Sequence, residues 1–324
     1  MSYPTILTID LNFMQKAGTI GVYLLPHSQG GLLVESGPTS TIPELIEGLK
    51  HYGFTPLQIT DVFLTHIHLD HAGAAGWLAQ QGARIHVHSA GAPHLINPDK
   101  LLASAARVYG DQMEALWGLF SHVPEAQINI LQDSDIVTVG ELSIKALEVL
   151  GHAVHHLAYL IDGACFTGDI GGVRVHNQKF ISLPTPPPDL NLEQWRASIL
   201  RLLEQKPRQI IPTHFGVYND PEWHLNKLLG LLTTLETWIE NKMPEITSIE
   251  ELRQEYLRLE IDRSRQAGLQ DLTFDAQQTA NPYSMSADGI YRDWHKVRLV
   301  NNNRRIEYEQ QDQSDPSSSK TPGR

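Results

Sequence analysis

The order of apolar and polar positions in the first third of the chain predicts strands that give way to helices. Two short apolar runs, 20–25 and 32–34, flank a Gly30-Gly31 turn, and this pattern is typical of a β-hairpin. The other elements of this third follow from the apolar spacing. They are predicted as a helix, a strand, a helix and a strand, over 41–53, 59–64, 72–81 and 85–88.

The remaining two thirds repeat this alternation after a helical segment. Residues 90–122 read as two or three helices, which Pro93, Pro98 and Gly110 interrupt. Short apolar strands then return, at 128–130, 136–138, 142–149, 157–161 and 164–167. A stiff proline loop, an amphipathic helix, a strand and two long helices are predicted last, at 184–188, 192–203, 209–211, about 222–241 and about 247–268.

Strands therefore dominate in two rounds, the first ending near residue 125 and the second beginning near residue 128. Strands with interspersed helices in this order predict a layered α/β sandwich. The last residues, 301–324, are polar and rich in Ser, Pro and Gln, and we expect them to form a disordered tail.

Composition narrows the class of protein. The chain has 324 residues, 41% of them apolar, and a formal net charge of −12, which favours a globular core and disfavours nucleic-acid binding. A single cysteine, Cys165, fits a reducing cytoplasm, because one cysteine cannot form an internal disulfide. The N-terminus has no secretory pattern, and no apolar run approaches the roughly 18 residues of a membrane span. We therefore expect a cytoplasmic protein.

Sixteen histidines are the unusual feature, since histidine is the commonest metal ligand. Four potential ligands fall directly after the apolar strand at 59–64, where the chain leaves the sheet. These are His66, His68, Asp70 and His71. The i, i+2 spacing places the first two on one side of an extended segment, and the other two turn as a helix begins. Imidazole and carboxylate ligands suit zinc or a similar metal.

Three later elements can complete such a site. His152, His155 and His156 precede a strand, whereas Asp169 and His214 each follow one. In α/β proteins, functional groups gather at one edge of the sheets in this manner. The pattern of residues alone leaves open which of the three histidines is a ligand.

The four elements together resemble the metallo-β-lactamase fold superfamily of hydrolases, over about residues 5–220. Residues 65–71 match its His-x-His-x-Asp-His motif in full. Residues 151–156 resemble its Gly-His-x-x-x-His element, and 166–169 and 212–214 resemble the two elements that carry its last ligands. The resemblance implies a four-layer αββα sandwich of the metallo-β-lactamase type, with a helical C-terminal extension.

The resemblance also implies a ligand set for two divalent metal ions. His66, His68 and His156 would hold one ion, Asp70, His71 and His214 the other, and Asp169 would bridge them. The second element departs from its commonest form, because Ala153, Val154 and His155 stand where Thr-Pro-Gly is frequent. We expect His156 to be the ligand, with His155 and His152 beside the site. Zinc is the favoured metal, and iron or manganese is an alternative.

The function implied is a binuclear metal-dependent hydrolase that uses a metal-bridging hydroxide. Asp70 would orient that nucleophile or pass a proton to the leaving group. The substrate expected is a thioester, lactone or other small ester, as in glyoxalase II-like members. The alternatives are a phosphodiesterase or nuclease of the same fold, and a mononuclear iron enzyme like the sulfur dioxygenases. A metal-stabilised scaffold without catalysis is disfavoured, because structural zinc sites are usually closed and rich in cysteine.

The substrate pocket is expected between a helical insert of about 90–125 and the C-terminal helices. Tyr109, Trp117, Arg174 and Tyr218 are its candidate substrate contacts. The domain organisation predicted is a catalytic domain over 1–220 and a helical region over 221–300, followed by the tail. The partners expected are a small-molecule substrate, with no nucleic acid and no membrane, and with a homodimer left open.

Overall fold

The computed structural model describes residues 4–298 and shows eleven strands in two sheets. The first sheet has the order β1-β2-β3-β4-β5-β6. Its strands are Leu7–Asp10, Gly21–His27, Gly30–Val34, Ile59–Phe63, Arg84–His88 and Ile128–Leu131. The second sheet has the order β11-β10-β9-β8-β7. In chain order its strands, β7 to β11, are Ile136–Val139, Leu142–Glu148, Leu157–Ile161, Ala164–Phe166 and Gln209–Ile211.

Eleven α-helices, α1 to α11, lie in the same described range. The first six are Ile42–His51, Leu69–Ala72, Ala75–Gln80, Ala92–Ile96, Asp99–Tyr109 and Met113–Trp117. The last five are Leu192–Glu204, Pro221–Lys242, Ile249–Gln266, Asp271–Ala280 and Tyr283–Asp293. No helix within residues 4–298 combines the length and apolar character that a membrane crossing requires.

Three buried clusters show how the layers stack. One lies between the sheets and joins side chains of both, such as Phe63 on β4 and Tyr159 on β9. The second packs helices α1, α3 and α4 against the outer face of the first sheet, with Leu45 and Leu78 in its centre. The third packs α7, α8, α9 and α11 against the second sheet, around Trp195. Four layers, αββα, result, and this fold class was predicted.

Local sequence explains where several elements begin. The Asn191 side chain accepts a hydrogen bond from the Gln194 backbone N–H and so caps α7. Ser248 caps α9 in the same way, with the Glu251 N–H as donor. Each cap satisfies a backbone donor that a helix otherwise leaves unpaired, a contribution of about 1 kcal/mol.

The predicted hairpin is present, because β2 and β3 pair as antiparallel strands. The predicted helix over 72–81 is instead two short helices, α2 and α3, and the insert contains three helices. The C-terminal helices share one buried cluster with the second sheet, so they cover the sandwich rather than forming a separate core. The predicted boundary at 220/221 coincides with the start of α8 and stays a prediction, and the predicted tail over 301–324 lies outside the described residues.

Candidate metal centre

The loops that carry the predicted ligands follow four strands whose ends meet at one edge of the sandwich. These strands are β4, β8, β10 and β11, which end at Phe63, Glu148, Phe166 and Ile211. The first belongs to one sheet and the other three to the second sheet. The fold therefore brings together side chains that are up to about 150 residues apart in the sequence.

Two glycines let these loops turn where the side chains must converge. Gly151 and Gly168 have φ of +129° and +51°, a region that other residues rarely adopt. A Cβ atom on Gly151 would collide with the backbone of Trp195, and one on Gly168 would collide with Thr65. Each glycine therefore lets the residue that follows it, His152 or Asp169, reach the site.

Ligand atoms of Asp70, His71 and His214 converge at one point of the site. We call these three residues the aspartate group. The His71 Nε2 and His214 Nε2 atoms lie 3.5 and 3.4 Å from Asp70 Oδ2. The same two nitrogens lie 3.3 and 3.5 Å from Asp169 Oδ1. Four ligand atoms bound tetrahedrally at about 2.0–2.2 Å from an ion would be about 3.3–3.6 Å apart. These distances match that spacing.

Ligand atoms of His66, His68 and His152 converge at a second point. We call these residues the three-histidine group. The His68 Nδ1 atom lies 2.9 Å from His66 Nε2 and 3.1 Å from His152 Nε2. The His152 Nε2 atom also lies 3.3 Å from Asp169 Oδ2. Asp169 therefore directs one carboxylate oxygen toward each group, which is the position of a bridging ligand.

Unpaired atoms in the aspartate group and on Asp169 support the fit to a metal. The His71 Nε2, His214 Nε2 and Asp169 Oδ1 atoms are fully buried, and none has a hydrogen-bond partner among the described residues. Leaving buried polar atoms unpaired costs about 1–3 kcal/mol each, so such atoms ordinarily have a partner. A divalent cation would satisfy all three at once.

The opposite ring nitrogens fix the tautomers of three histidines. His152 Nδ1 lies 2.9 Å from the Pro184 carbonyl, and His214 Nδ1 lies 2.7 Å from the Thr19 carbonyl. A carbonyl only accepts, so each Nδ1 carries the proton and each Nε2 lone pair faces the site. His71 Nδ1 donates in the same way to the Glu35 carboxylate, 3.0 Å away. Such support orients ligand rings and raises their basicity.

Glu35 also ties the two sheets together beneath the site. Its fully buried carboxylate accepts hydrogen bonds from the hydroxyls of Thr65 and Thr213, at 2.5 and 2.8 Å, and from the Thr65 backbone N–H. The Thr65 and Thr213 side chains precede His66 and His214 directly, so Glu35 holds a ligand-bearing loop of each sheet in place. Glu35 has a φ of +71°, which a non-glycine residue adopts only rarely.

The histidines of the three-histidine group are held neutral. Burial, together with repulsion from neighbouring histidines, lowers the pKa of His66 far below its usual value. The same two effects lower the pKa of His68 to about 3, and burial lowers the pKa of His152. Neutral imidazole is the form that binds metals, so this group needs to lose no proton before it accepts a cation.

The aspartate group is instead ionic. Burial opposes charge on His71 and on Asp70, but their attraction to opposite charges outweighs burial. The carboxylates of Asp70, Asp169 and Glu35 raise the pKa of His71, and the histidines lower the pKa of Asp70. The carboxylates thus favour a positive charge at this group, and a bound metal ion would supply that charge in place of the extra proton on His71.

The structure does not place His156 with the other predicted ligands, and here the sequence-based assignment is corrected. His156 Nε2 accepts a hydrogen bond from the Asp169 backbone N–H at 3.2 Å, so the ring lies beneath the site. His152 occupies the position expected of His156. The physical reason is the order of elements, because His152 follows the end of β8 as the other ligands follow their strands, whereas His156 directly precedes β9.

Of the four predicted substrate contacts, two line a cavity at the site and two do not. A cavity of about 500 Å³ opens above both groups and is lined by His68, Asp70, His152, Asp169 and His214. Tyr109 and Trp117 of the insert also line this cavity, as does the predicted proline loop.

Arg174 and Tyr218 do not line it, so their assignment as substrate contacts is corrected. The Arg174 guanidinium binds both oxygens of Asp220, at 2.7 and 3.0 Å, and lies 3.8 Å above the Tyr218 ring. All its partners are internal, so this cluster has a packing role.

Most other histidines, and the cysteine, have ordinary partners. His86 contacts Asp61 and Asn129, His88 contacts Glu148, and His224 contacts the Gly171 carbonyl. His94 and His155 line the cavity. Cys165 is buried, and burial raises the pKa of its thiol to about 12, which excludes it as a nucleophile at neutral pH.

Known proteins have sequences similar to that of this chain. A profile of the metallo-β-lactamase superfamily matches residues 18–214. A metallo-β-lactamase fold-containing protein of Sulfurisphaera tokodaii is 27% identical over 216 residues, which is 64% of this chain and 78% of that protein. A hydroxyacylglutathione hydrolase of Rhodopseudomonas palustris is 32% identical over 163 residues, and the match covers 47% of this chain and 52% of that enzyme. The chain thus spans about half the length of this second relative.

Solved structures show the same fold. A metallo-β-lactamase family protein from Thermus thermophilus has a TM-score of 0.63 at 18% identity, covering 92% of this chain and 93% of its own. An archaeal superfamily protein from Sulfolobus tokodaii has a TM-score of 0.60 at 23% identity, covering 71% of this chain and 87% of its own. Hydrolases recur among the relatives, as the sequence predicted. The chain therefore belongs to the metallo-β-lactamase superfamily and is an enzyme with the fold of that superfamily's hydrolases.

Proposed function

We propose that this enzyme is a binuclear metal-dependent hydrolase that cleaves a thioester, lactone or other small ester. The observation that carries the proposal is the placement of Asp169, whose two carboxylate oxygens lie against different groups of buried ligand atoms. A single closed structural site would need only one such group. Relatives named hydroxyacylglutathione hydrolases support the choice of a thioester or ester bond.

The ligands proposed are the three-histidine group for one ion, the aspartate group for the other, and Asp169 for both. When bound, two divalent ions would supply a Lewis acid for the acyl oxygen and lower the pKa of a shared water to about 7. Zinc suits the imidazole and carboxylate donors, and iron and manganese also accept them.

The chain's own residues position these components. Within the aspartate group, the Asp70 carboxylate lines the cavity, and its side chain is 21% exposed. Its low pKa keeps it ionised at neutral pH, so we assign it as the acceptor that orients the attacking water. Glu35 and the carbonyls of Thr19 and Pro184 hold the ligand rings in the metal-binding tautomer.

The experiment that tests the proposal combines elemental analysis of the purified protein with an activity screen. We expect about two metal ions per chain, and chelator-sensitive hydrolysis of thioesters or lactones but not of phosphodiesters. The His122→Ala variant serves as the control for loss of a histidine. It should keep the metal content and activity of the unmodified protein, because His122 is exposed and lies outside the cavity. Fewer than one ion per chain after metal is offered, or cleavage of phosphodiesters alone, would contradict the proposal.

A further inference from the structure

The cavity above the metal centre has walls from three distant parts of the chain. The insert contributes α5 and α6, the C-terminal region contributes residues 279–286, and the proline loop contributes Pro186, Pro187 and Pro188. The volume of about 500 Å³ falls within the range of sites that hold small-molecule ligands. This volume exceeds what a water and the reacting carbonyl group need, so the rest must fit another part of the substrate.

The walls away from the metal centre are mostly apolar, although Ser104, Thr279, Asn281 and Ser286 also line the cavity. Leu101, Ala105 and Leu116 face the cavity from the insert, and Ala280 and Met285 face it from the opposite wall. The Tyr109 hydroxyl spans the two walls, with its oxygen 3.6 Å from the Met285 sulfur. The space between the walls is thus a channel that offers dispersion contacts and few hydrogen bonds.

Charge is scarce and balanced on these walls. Apart from the metal-centre residues, the described part of the chain supplies two formally charged side chains to the cavity, Lys100 and Asp189. Their charges are opposite, so the channel offers no cationic surface for an anionic substrate. A glutathione thioester carries two carboxylates, which bind best to several Arg or Lys side chains.

The mouth of the cavity is apolar as well. Met14, Val108 and Val154 line it and are 57%, 50% and 51% exposed, although each comes from a different element. Exposed apolar side chains that converge on one opening are typical of a site for an apolar ligand.

We propose that this channel binds the acyl chain of the substrate, so that the enzyme acts on esters or thioesters of uncharged, apolar acyl groups several carbons long. The carbonyl would lie at the metal centre, where His68, Asp70 and Asp169 line the same cavity, and the hydrocarbon would extend between the insert and α11. The assignment of the cleaved bond rests on the proposed function, whereas the binding of the hydrocarbon rests on the walls alone.

Alkyl methyl ketones test the channel directly, because they carry an uncharged carbonyl group and cannot be hydrolysed. Calorimetric titration of the full chain with 2-hexanone, 2-octanone and 2-decanone measures the dissociation constant against chain length. We expect binding to tighten about fourfold for each added methylene that the channel buries, the equivalent of about 0.8 kcal/mol. A dissociation constant that does not change with chain length would overturn the proposal.

Two neighbouring alanines of α5 give a matched pair of variants. Ala105 lines the channel, whereas Ala106 is exposed and outside it. We expect Ala105→Trp to weaken binding of 2-decanone at least tenfold and to leave 2-hexanone less affected, because the indole would fill the channel. Ala106→Trp should bind both ketones as the unmodified protein does. Equal effects of the two variants would contradict the assignment. Val154→Thr removes apolar surface at nearly constant volume and tests the mouth even if Ala105→Trp fails to fold.

Thioester kinetics separate this inference from the proposed function. On the metal-loaded enzyme, kcat/KM should rise from acetyl to octanoyl thioesters of one small neutral thiol. If thioesters are cleaved with no preference for longer chains, or if S-acylglutathiones are strongly preferred, the channel assignment is wrong while the hydrolase proposal stands. If ketones bind as expected but no ester or thioester is cleaved, the proposed function is wrong instead.

Discussion

The two halves of the proposed metal centre hold their side chains by different physical means. The three-histidine group consists of neutral imidazoles whose pKa values are lowered by burial and by mutual repulsion. The aspartate group is an ionic network, in which carboxylates raise the pKa of His71 and histidines lower the pKa of Asp70. Asp169 places one carboxylate oxygen against each group, and the rings of His66 and His71 also meet, with centroids 3.9 Å apart. The comparison shows that the neutral three-histidine group can receive a cation without losing a proton. In the aspartate group, attraction between opposite charges holds the side chains in position.

The largest effect should come from the residue that the two halves share. In Asp169→Ala, both groups lose a ligand oxygen, so we expect the metal content to fall from about two ions per chain to below one, with loss of hydrolysis. Elemental analysis after gel filtration provides the measurement. Asp111→Ala, on the exposed face of the insert, is the control and should keep both ions. Retention of one full ion in Asp169→Ala would mean that the aspartate does not bridge.

A pair of histidine variants tests one half alone. His152→Ala should lose the ion of the three-histidine group and keep about one ion per chain, because the aspartate group is intact. His156→Ala removes an equally buried ring four residues away, and should keep about two ions, since this ring only accepts a hydrogen bond from the Asp169 N–H. The reverse outcome would restore the sequence-based assignment of His156.

A smaller effect is expected when the hydrogen bonds that support the aspartate group are changed. In Glu35→Gln, an amide replaces a carboxylate that accepts hydrogen bonds from His71, Thr65 and Thr213. Loss of such support typically weakens metal binding about 10–100-fold. Competition with a chromophoric chelator should show this weakening for the ion of the aspartate group, whose His71 contacts Glu35 directly, and a smaller weakening for the other ion, which Glu35 reaches only through Thr65. The exposed Glu47→Gln is the matched control, and equal weakening of both ions would argue against two separately supported halves.

The smallest expected effect is on stability. An ion that binds only the folded chain stabilises it by about 2.7 kcal/mol at a free concentration of 100 times its Kd. For a protein of this size we expect removal of metal by a chelator to lower Tm by about 5 °C. Differential scanning calorimetry with and without chelator measures the shift, and the Asp169→Ala variant should show a smaller one.

Sequence patterns predict the parts of the molecule that depend on residues close together in the chain. Residues 66–71 lie in one loop after one strand, so their clustering needs no knowledge of the tertiary structure. The hairpin, α1, α8 and α9 carry clear apolar periodicity and were predicted within a few residues. Strand β1 and the helices α10 and α11 were not, because their sequences are short or mostly polar and packing against the rest of the chain stabilises them.

The parts that sequence did not predict depend on contacts between distant residues. His152 and His156 have the same residue type and nearly the same surroundings in sequence, and only the fold decides which ring reaches His68. Glu35 is a lone acidic residue after a strand, and its importance comes from Thr213, 178 residues away. Arg174 has the charge expected of a substrate contact, but Asp220 binds it internally.

The most direct test of the account is a crystal structure of the zinc-loaded protein with anomalous diffraction measured at the zinc edge. We predict two anomalous peaks on opposite sides of the Asp169 carboxylate, one beside His66, His68 and His152, the other beside Asp70, His71 and His214. A single peak would contradict the binuclear arrangement, and a peak coordinated by His156 in place of His152 would contradict the assignment of its ligands.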